Sequence, residues 1–539
     1  MSNTRKIYKW GSLEVEESLP SHTRNFFEST FPVDPNFRAN IPKGEPKLKE
    51  LKKSKVATQT LAKFKKIIGN NAFSADPEVR ARHSIGKFYT EIFNARHGRV
   101  DSVVDAVLFP KSDKEVQEIV SLADQTKTPI IPYGAGSSVT RALEAPKGGI
   151  SIDMSLMDKI IEFNPINTTV TVQAGISGPA LESFLNEKGY TCGHFPQSFE
   201  YSTVGGWIAA KGAGQASTGY GKMEDILLAI TAITPSGVIQ SKAYPASSIG
   251  PDLFRLFLGS EGSFGVITSA TLKIRKFNLN HSTKGSFIFK DFESAVETMR
   301  EVMQGGFGKP HFFRIQDPEE TEISFQMSGL AGGKEDKFLS FIGYKSGKRS
   351  LMHIIIDGDP EYTTFVFKKI KKIAKHRGAF STGKSPVEKW LHQRYSSAYL
   401  RDTLMDEGIR IDTIETAVTW NELHKLWSET RKYIKSFPNT ACMVHISHAY
   451  ENGANLYFIF IKPMEETGEL ESFAKFHKGL IDTIHENGGS LSHHHGIGRL
   501  LTPWMEKEIG KSSLQLLGAI KKAFDPKGIM NPGGLLGIK

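Results

Sequence analysis

Thr128-Pro129-Ile130-Ile131-Pro132-Tyr133-Gly134-Ala135-Gly136-Ser137-Ser138 is the stretch on which the fold turns. A short apolar, β-branched run feeds a glycine-spaced loop, the pattern of a strand entering a turn. The loop offers consecutive backbone N–H groups and two hydroxyls, which together make an anion-binding nest. It is not a dinucleotide fingerprint of the Rossmann type. Ser137-Ser138-Val139 supplies no third glycine, and no acidic ribose ligand stands at the required distance. Nicotinamide binding is therefore not expected.

Three more loops follow in order: Ser202-Thr203-Val204-Gly205-Gly206-Trp207, then Lys211-Gly212-Ala213-Gly214 running on to Gly219-Tyr220-Gly221, then Gly259-Ser260-Glu261-Gly262-Ser263-Phe264-Gly265-Val266-Ile267-Thr268. Taken singly, each is more often a tight turn than a ligand loop. Four in this order point to a nucleotide cradle. Strands are expected at Val103–Pro110, Gly149–Asp153, Thr168–Ala174, Leu227–Thr234 and Val266–Ile274, with helices capped by Ser112 and running over Pro179–Lys188. This is an α+β domain spanning 99–278.

After Lys276 the glycines thin and helix–strand alternation resumes to about residue 505, with a long amphipathic segment at Tyr362–Arg377. Gly378 to Ser385 fits the Walker A spacing formally, but it follows the basic face Lys368–Arg377 and runs into Pro386. A phosphate loop follows a buried strand and opens a helix, so this match is set aside. The turn-dense Asp525-Pro526-Lys527-Gly528-Ile529-Met530-Asn531-Pro532-Gly533 closes a segment at 506–539.

The 539 residues, 39% hydrophobic and 23% charged, suit three or four globular units and exclude a disordered or fibrous chain. No apolar run is long enough to span a membrane, and the polar start Met1–Lys6 carries no apolar signal segment. Cys192 and Cys442 alone cannot build a disulfide framework, a zinc ribbon or an iron–sulfur ligand set. The net charge of +10 admits nucleic acid, an anionic membrane or an anionic substrate. Residues 1–98 are polar, and Lys43–Lys66 is lysine-dense. That segment reads as a solvated or partly disordered arm, or as a membrane-surface patch. No aromatic interleaving supports nucleic acid.

Leu491-Ser492-His493-His494-His495-Gly496-Ile497-Gly498 carries three successive histidines. Three adjacent side chains cannot all face one metal, so proton transfer or anion binding is the better reading. Tyr457, among Leu456, Phe458, Ile459 and Phe460, is as readily a core aromatic as a functional one. As an acid/base it would need nearby cations to lower its pKa. Arg314 and Arg401 suit bidentate phosphate recognition, although a lone arginine is more often a surface ion pair.

The four loops and the closing Asn531-Pro532-Gly533 resemble the FAD-binding (PCMH-type) domain of the vanillyl-alcohol oxidase superfamily, joined to an α+β cap domain at 279–505. The first loop lacks histidine, so the resemblance implies non-covalent FAD. Implied cofactor contacts are Pro132 to Ser138, His194, Gln197 and Ser198 in Gly193-His194-Phe195-Pro196-Gln197-Ser198, then Ser202, Thr203, Gly205, Gly206, Ala210, Lys211, Gly212, Ala213, Glu261 to Ile267, and Asn531. Related hydroxyacid dehydrogenases carry a metal-binding histidine where Tyr457 stands and a glutamate where His494 stands, so no metal site is expected.

Ser492–Gly496, Tyr457, Arg401 in Tyr399-Leu400-Arg401-Asp402 and Arg314 in Phe313-Arg314-Ile315 are instead similar to the alkyldihydroxyacetonephosphate synthase family. Before residue 100 only Tyr8-Lys9-Trp10-Gly11 is similar. The resemblance implies a homodimeric FAD enzyme of ether-lipid synthesis. It would exchange the acyl group of acyl-dihydroxyacetone phosphate for a long-chain fatty alcohol, with no net redox change. Flavin N5 would hold the substrate carbon between departure of the fatty acid and attack of the alcohol. Tyr457 would serve as acid/base and Arg401 would bind the substrate phosphate. Arg314, His493, His494 and His495 would assist, in an apolar tunnel lined by phenylalanines. The competing reading is an FAD-dependent oxidase or dehydrogenase of a small alcohol or 2-hydroxy acid. A third is a non-catalytic lipid-surface protein. The terminus Gly537-Ile538-Lys539 is no peroxisomal signal, so a cytoplasmic, membrane-associated protein is expected, or a peroxisomal one if the source is eukaryotic.

Overall fold

A computed structural model describes residues 5–16, 18–49, 51–277 and 282–537. The expectations tied to residues 1–4, to the 278/279 boundary and to Ile538-Lys539 lie outside them. In the first layer, β1 (Phe73–Ser74), β2 (Ala106–Leu108), β3 (Ile130–Tyr133) and β4 (Ile150–Asp153) lie in the order β1-β2-β4-β3. β4 runs parallel to both neighbours, so a crossover must join β2 to β3. The helix Asp113–Thr126 supplies it, opened by Ser112, whose hydroxyl accepts the Glu115 N–H. The chain's tail returns to β3: Ile130 N–H donates to Ile529 at 2.8 Å, and Asn531 N–H donates to Ile130 at 2.8 Å.

A second, antiparallel sheet contains β5 (Ile160–Asn164), β6 (Thr169–Gln173), β7 (Leu227–Thr234), β8 (Gly237–Gln240) and β9 (Val266–Lys273), in the order β5-β6-β9-β7-β8. The first glycine loop follows β3, and the other three lie between β6 and β9.

The third sheet is antiparallel: β10 (Thr283–Phe289), β11 (Phe312–Gln316), β12 (Ser350–Ile356), β13 (Phe380–Gly383), β14 (Ile409–Thr419), β15 (Ala441–Ile446) and β16 (Gly453–Pro463), ordered β13-β10-β12-β11-β15-β16-β14. Even-numbered residues of β14, such as Ile414 and Val418, join a large core with the helices Phe292–Gln304, Pro360–His376, Trp420–Lys435 and Glu469–Glu486. Odd-numbered Ile409 and Ile411 join a second core with Ile323, Leu404 and Met443. The period of two thus splits one strand between two layers. The Walker look-alike is resolved here too, because its centre is the edge strand β13 rather than a loop.

The expected arm is solvated along its lysines but anchored by aromatics. Lys43, Lys47, Lys49, Lys52, Lys53, Lys55, Lys63, Lys65 and Lys66 are exposed, but Phe27, Phe31 and Phe64 are buried. Burying each aromatic contributes ~1.5–3 kcal/mol, which outweighs the polar composition of the segment. Residues 5–12 form a small hairpin, with Arg5 bridged to Ser12, and dock between the two domains.

Candidate functional site

A cavity of about 590 Å³ lies between the loop-bearing domain and the third sheet. Its floor is built from the glycine loops, which close on one another because side chains are missing. A Cβ on Gly134 would lie 2.4 Å from Thr203 Oγ1. Thr203 is itself committed, since its hydroxyl caps the Val204–Ala209 helix. Among the described residues, the backbone N–H groups of Gly134 to Val139 have no protein acceptor. Six consecutive donors facing a cavity form an anion cradle. His194 adds a second unmet demand: the residue is buried and neither ring nitrogen has a partner. Burial pushes its pKa down to about 3, so it is a neutral ring there.

The opposite wall is made of side chains. Tyr457 on β16 stacks on His445 of β15, with centroids 4.7 Å apart and planes 13° apart, and on His494 at 5.9 Å. Its hydroxyl donates to Thr413 Oγ1 of β14 at 3.1 Å. The lowering of its pKa that an acid/base role would need does not occur. Burial pushes it up to about 12, and Glu415 and Asp412 add to the rise.

The histidine loop is held by Glu415 of β14, whose carboxylate accepts the Ser492 hydroxyl and the N–H groups of His493, His494 and His495 at 2.7–3.1 Å. Burial alone would raise this carboxyl, but His494 and His495 beside it hold it well below its usual range. Burial pushes the pKa of His495 down to about 4. His493 is turned away from the cavity: its Nε2 meets the Tyr450 hydroxyl at 2.6 Å and its Nδ1 meets His494 Nδ1 at 2.9 Å. The group whose nitrogens converge within 4.8 Å, a spacing that could hold a metal ion, is His448, His493 and His494. The histidine loop meets the floor at Glu261, which accepts the Gly498 N–H at 2.7 Å.

Both arginines are already paired. Arg314 Nη2 donates to Glu320 at 2.6 Å, and His445 bonds the other oxygen of Glu320 at 2.9 Å. Burial would raise the Glu320 carboxyl, yet His445 and Arg314 hold it down at about 2. Arg401, in the helix Ser397–Asp406, forks onto both oxygens of Asp402 at 3.0 and 3.3 Å. Its Nη1 donates to the Lys87 carbonyl. A row of apolar side chains, Ile323, Met327, Leu400, Ile411, Met443 and Ile459, continues the wall.

Most of the sequence-derived residues border this cavity, but five do not. His493 lies behind His494, as described. Lys211 turns to solvent and pairs with Glu224 at 3.1 Å. Ser263 and Phe264 are buried in the protein, Phe264 inside the core of the second sheet. Asn531 braces the floor from beneath, its Nδ2 donating to the Glu261 carbonyl at 2.7 Å. Sequence reasoning missed Trp10, Lys87, Thr413, His445 and His448, all of which line the cavity. None sits in a short pattern. They converge only through pairing of β14, β15 and β16 and docking of the N-terminal hairpin.

Comparison with known proteins adds the following. The FAD binding domain family matches residues 104–241, and the family "FAD linked oxidases, C-terminal domain" matches 279–535. An alkyldihydroxyacetonephosphate synthase of Dictyostelium discoideum is 33% identical over 86% of this chain and 78% of its own length. The same enzyme of Caenorhabditis elegans is 30% identical over 97% and 91%. A solved structure of an alkyldihydroxyacetonephosphate synthase superposes with a TM-score of 0.83 at 28% identity, covering 98% of this chain and 99% of that one. Substrate-bound p-cresol methylhydroxylase, at TM-score 0.68 and 14% identity, covers 90% of this chain and 98% of its own, and shares the fold.

Proposed function

The chain belongs to the alkyldihydroxyacetonephosphate synthase family, and from that premise we propose that it exchanges the acyl group of acyl-dihydroxyacetone phosphate for a long-chain fatty alcohol. It is a flavin-dependent enzyme of ether-lipid synthesis with FAD as cofactor. The unpaired donors of Gly134–Val139 fit a diphosphate, and the orphaned ring of His194 fits a polar neighbour in the same cradle. No histidine stands in the first loop, which supports non-covalent attachment. FAD, when bound, supplies the electron-poor ring chemistry of an exchange that leaves no net redox change.

One observation carries the reading. A single cavity joins the dinucleotide cradle to Tyr457, His494, His495 and Arg401, and then to an apolar wall. Tyr457, with its pKa up at about 12, remains protonated at neutral pH and enters as a hydrogen-bond donor and acid. The accompanying base is then His494, stacked on the Tyr457 ring. Glu415 fixes that loop before substrate arrives, so no reorganisation is needed at the moment of reaction. Arg401 binds the substrate phosphate, and Arg314 positions His445 through Glu320.

Homodimer formation and peripheral attachment to an anionic bilayer, in the cytoplasm, belong to the same reading. No described helix is long and apolar enough to cross a membrane. The helix Pro360–His376 exposes Tyr362 and Phe365 beside Lys368, Lys369, Lys371, Lys372 and Lys375, a face suited to lipid headgroups.

The test is to incubate the FAD-loaded protein with palmitoyl-dihydroxyacetone phosphate and hexadecanol. An alkyl product without consumption of oxygen or acceptor is expected. Acceptor turnover on a 2-hydroxy acid with no ether product would sink the reading.

A further inference from the structure

A phosphorylated substrate brings a dianion into a cavity of low dielectric, where its charge must be met. Four lysine and arginine side chains line the cavity: Lys87, Arg314, Arg394 and Arg401. Arg314 is neutralised by Glu320, and Arg401 by Asp402. Arg394 has no carboxylate partner within 4 Å among the described residues, but its guanidinium lies over the faces of Phe195 and Tyr395 at 4.7 and 4.8 Å. Lys87 also has no carboxylate partner among the described residues, and it stands directly beside Arg401.

The surroundings of Lys87 are built. Its side chain is buried, with the residue 8% exposed. Its Nζ donates to the carbonyls of Lys6 and Lys9 in the N-terminal hairpin, at 2.7 and 2.9 Å. An ammonium has three N–H groups, so two carbonyls leave one donor over. The plain alternative is a staple for the hairpin. A staple, however, needs no uncompensated charge at the edge of a cavity, and burying one is costly.

We propose that Lys87 is a phosphate-binding residue, whose ammonium meets the substrate phosphate alongside the already neutralised Arg401–Asp402 pair. This rests on the acyl-dihydroxyacetone phosphate reading. The same chemistry could be supplied by the FAD diphosphate, since Lys87 N–H donates to the Ser138 carbonyl at the end of the first loop. The Lys87 pKa is pushed down to about 7, by burial first and then by Arg401 and Arg5, against the pull of Asp402. An arriving dianion restores the charge, so binding takes up a proton above pH 7.

The groups facing Lys87 are Arg5 on the hairpin, Glu91 on the helix Tyr89–Arg96, and Arg401 and Asp402 on the helix Ser397–Asp406. Burial pushes Glu91 up to about 7 as well, so its contribution must be subtracted.

The experiment uses the FAD-loaded enzyme and Lys87→Met. In the variant, KM for palmitoyl-dihydroxyacetone phosphate should rise about 10- to 100-fold, with FAD content and the KM for hexadecanol unchanged. Calorimetry of dihydroxyacetone phosphate binding at pH 8, in two buffers of different ionisation enthalpy, should show nearly one proton taken up by wild type. The variant should show only the Glu91 share. If Lys87→Met does not fold, the wild-type proton count decides by itself. Binding without proton uptake, or an unchanged KM, overturns the assignment. Loss of FAD with an unchanged KM after reconstitution assigns Lys87 to the cofactor and also overturns it. Ether formation with a Lys87-independent KM leaves the functional reading standing. Proton-linked dihydroxyacetone phosphate binding without ether formation does the reverse. No binding by wild type removes both.

Discussion

On the floor of the cavity the groups that meet a ligand are backbone amides, Gly134 to Val139. On the opposite wall they are side chains, Tyr457, His494 and Arg401, held by buried carboxylates. The floor is shaped by what is missing from it, because its loops touch where a Cβ would not fit. The wall is shaped by charge. Two of the three carboxylates lining the cavity, Glu261 and Glu320, therefore titrate in opposite directions. Glu261 on the floor has only N–H and hydroxyl partners, and burial pushes it up to about 7. Glu320 on the wall, between His445 and Arg314, is held down at about 2. A site assembled from backbone tolerates no added volume; a site assembled from ion pairs tolerates no lost partner.

The strongest way to break this contrast is Tyr457→Phe. Turnover should fall by about 10²–10⁴-fold while flavin absorbance is retained. Loss of flavin instead would mean that the wall also holds the cofactor. Gly498→Ala probes the seam between the two sides. Its φ is +55°, and a Cβ there would lie 1.8 Å from the Thr140 carbonyl oxygen. Destabilisation on the order of 3 kcal/mol is expected in denaturant unfolding.

The pH response comes next. Glu320 stabilises the fold above its unfolded value of 4.5, and that contribution is lost as pH falls from 4.5 towards 2. Glu320→Gln should lack this acid limb, whatever its stability at pH 7. Glu261 works the other way: its contribution is present below pH 4.5 and is lost as pH rises through 7. Glu261→Gln should remove a decline of about 2 kcal/mol between pH 5 and 8. Equal slopes in the two variants would erase the comparison. The smallest effect is Thr203→Val, which removes a helix cap and should cost ~1 kcal/mol and some FAD retention.

The floor was largely legible in the sequence because glycine spacing encodes backbone geometry locally. Four loops and the strand Leu227–Thr234 follow from it, the strand with the bounds expected. Errors there came from treating a loop as uniformly ligand-facing: Phe264 belongs to the core beside Phe257 and Phe524, and Lys211 faces solvent. The wall was legible only at residues inside a short pattern, Tyr457 and the histidines. His445 reaches Tyr457 through strand pairing and His448 reaches His493 by the approach of two loops, which no local signal reveals. The ion-pair alternative for Arg314 and Arg401 was legible, but their partners were not, because Glu320 and Asp402 gave no sign of their orientation. Lys87 and Trp10 were hidden by the polar composition of the first hundred residues, whose aromatic positions carry the packing.

The docked hairpin also has a consequence for how the chain is made. The Trp10 N–H donates to Asp402, 392 residues further on, and Lys9 pairs with Asp406. At about 5–20 residues per second, synthesis separates these partners by about 20–80 seconds. The hairpin thus leaves the ribosome well before its partners and is among the last segments to find its place. The mouth of the cavity is finished only after both domains have formed, by a segment made before either of them.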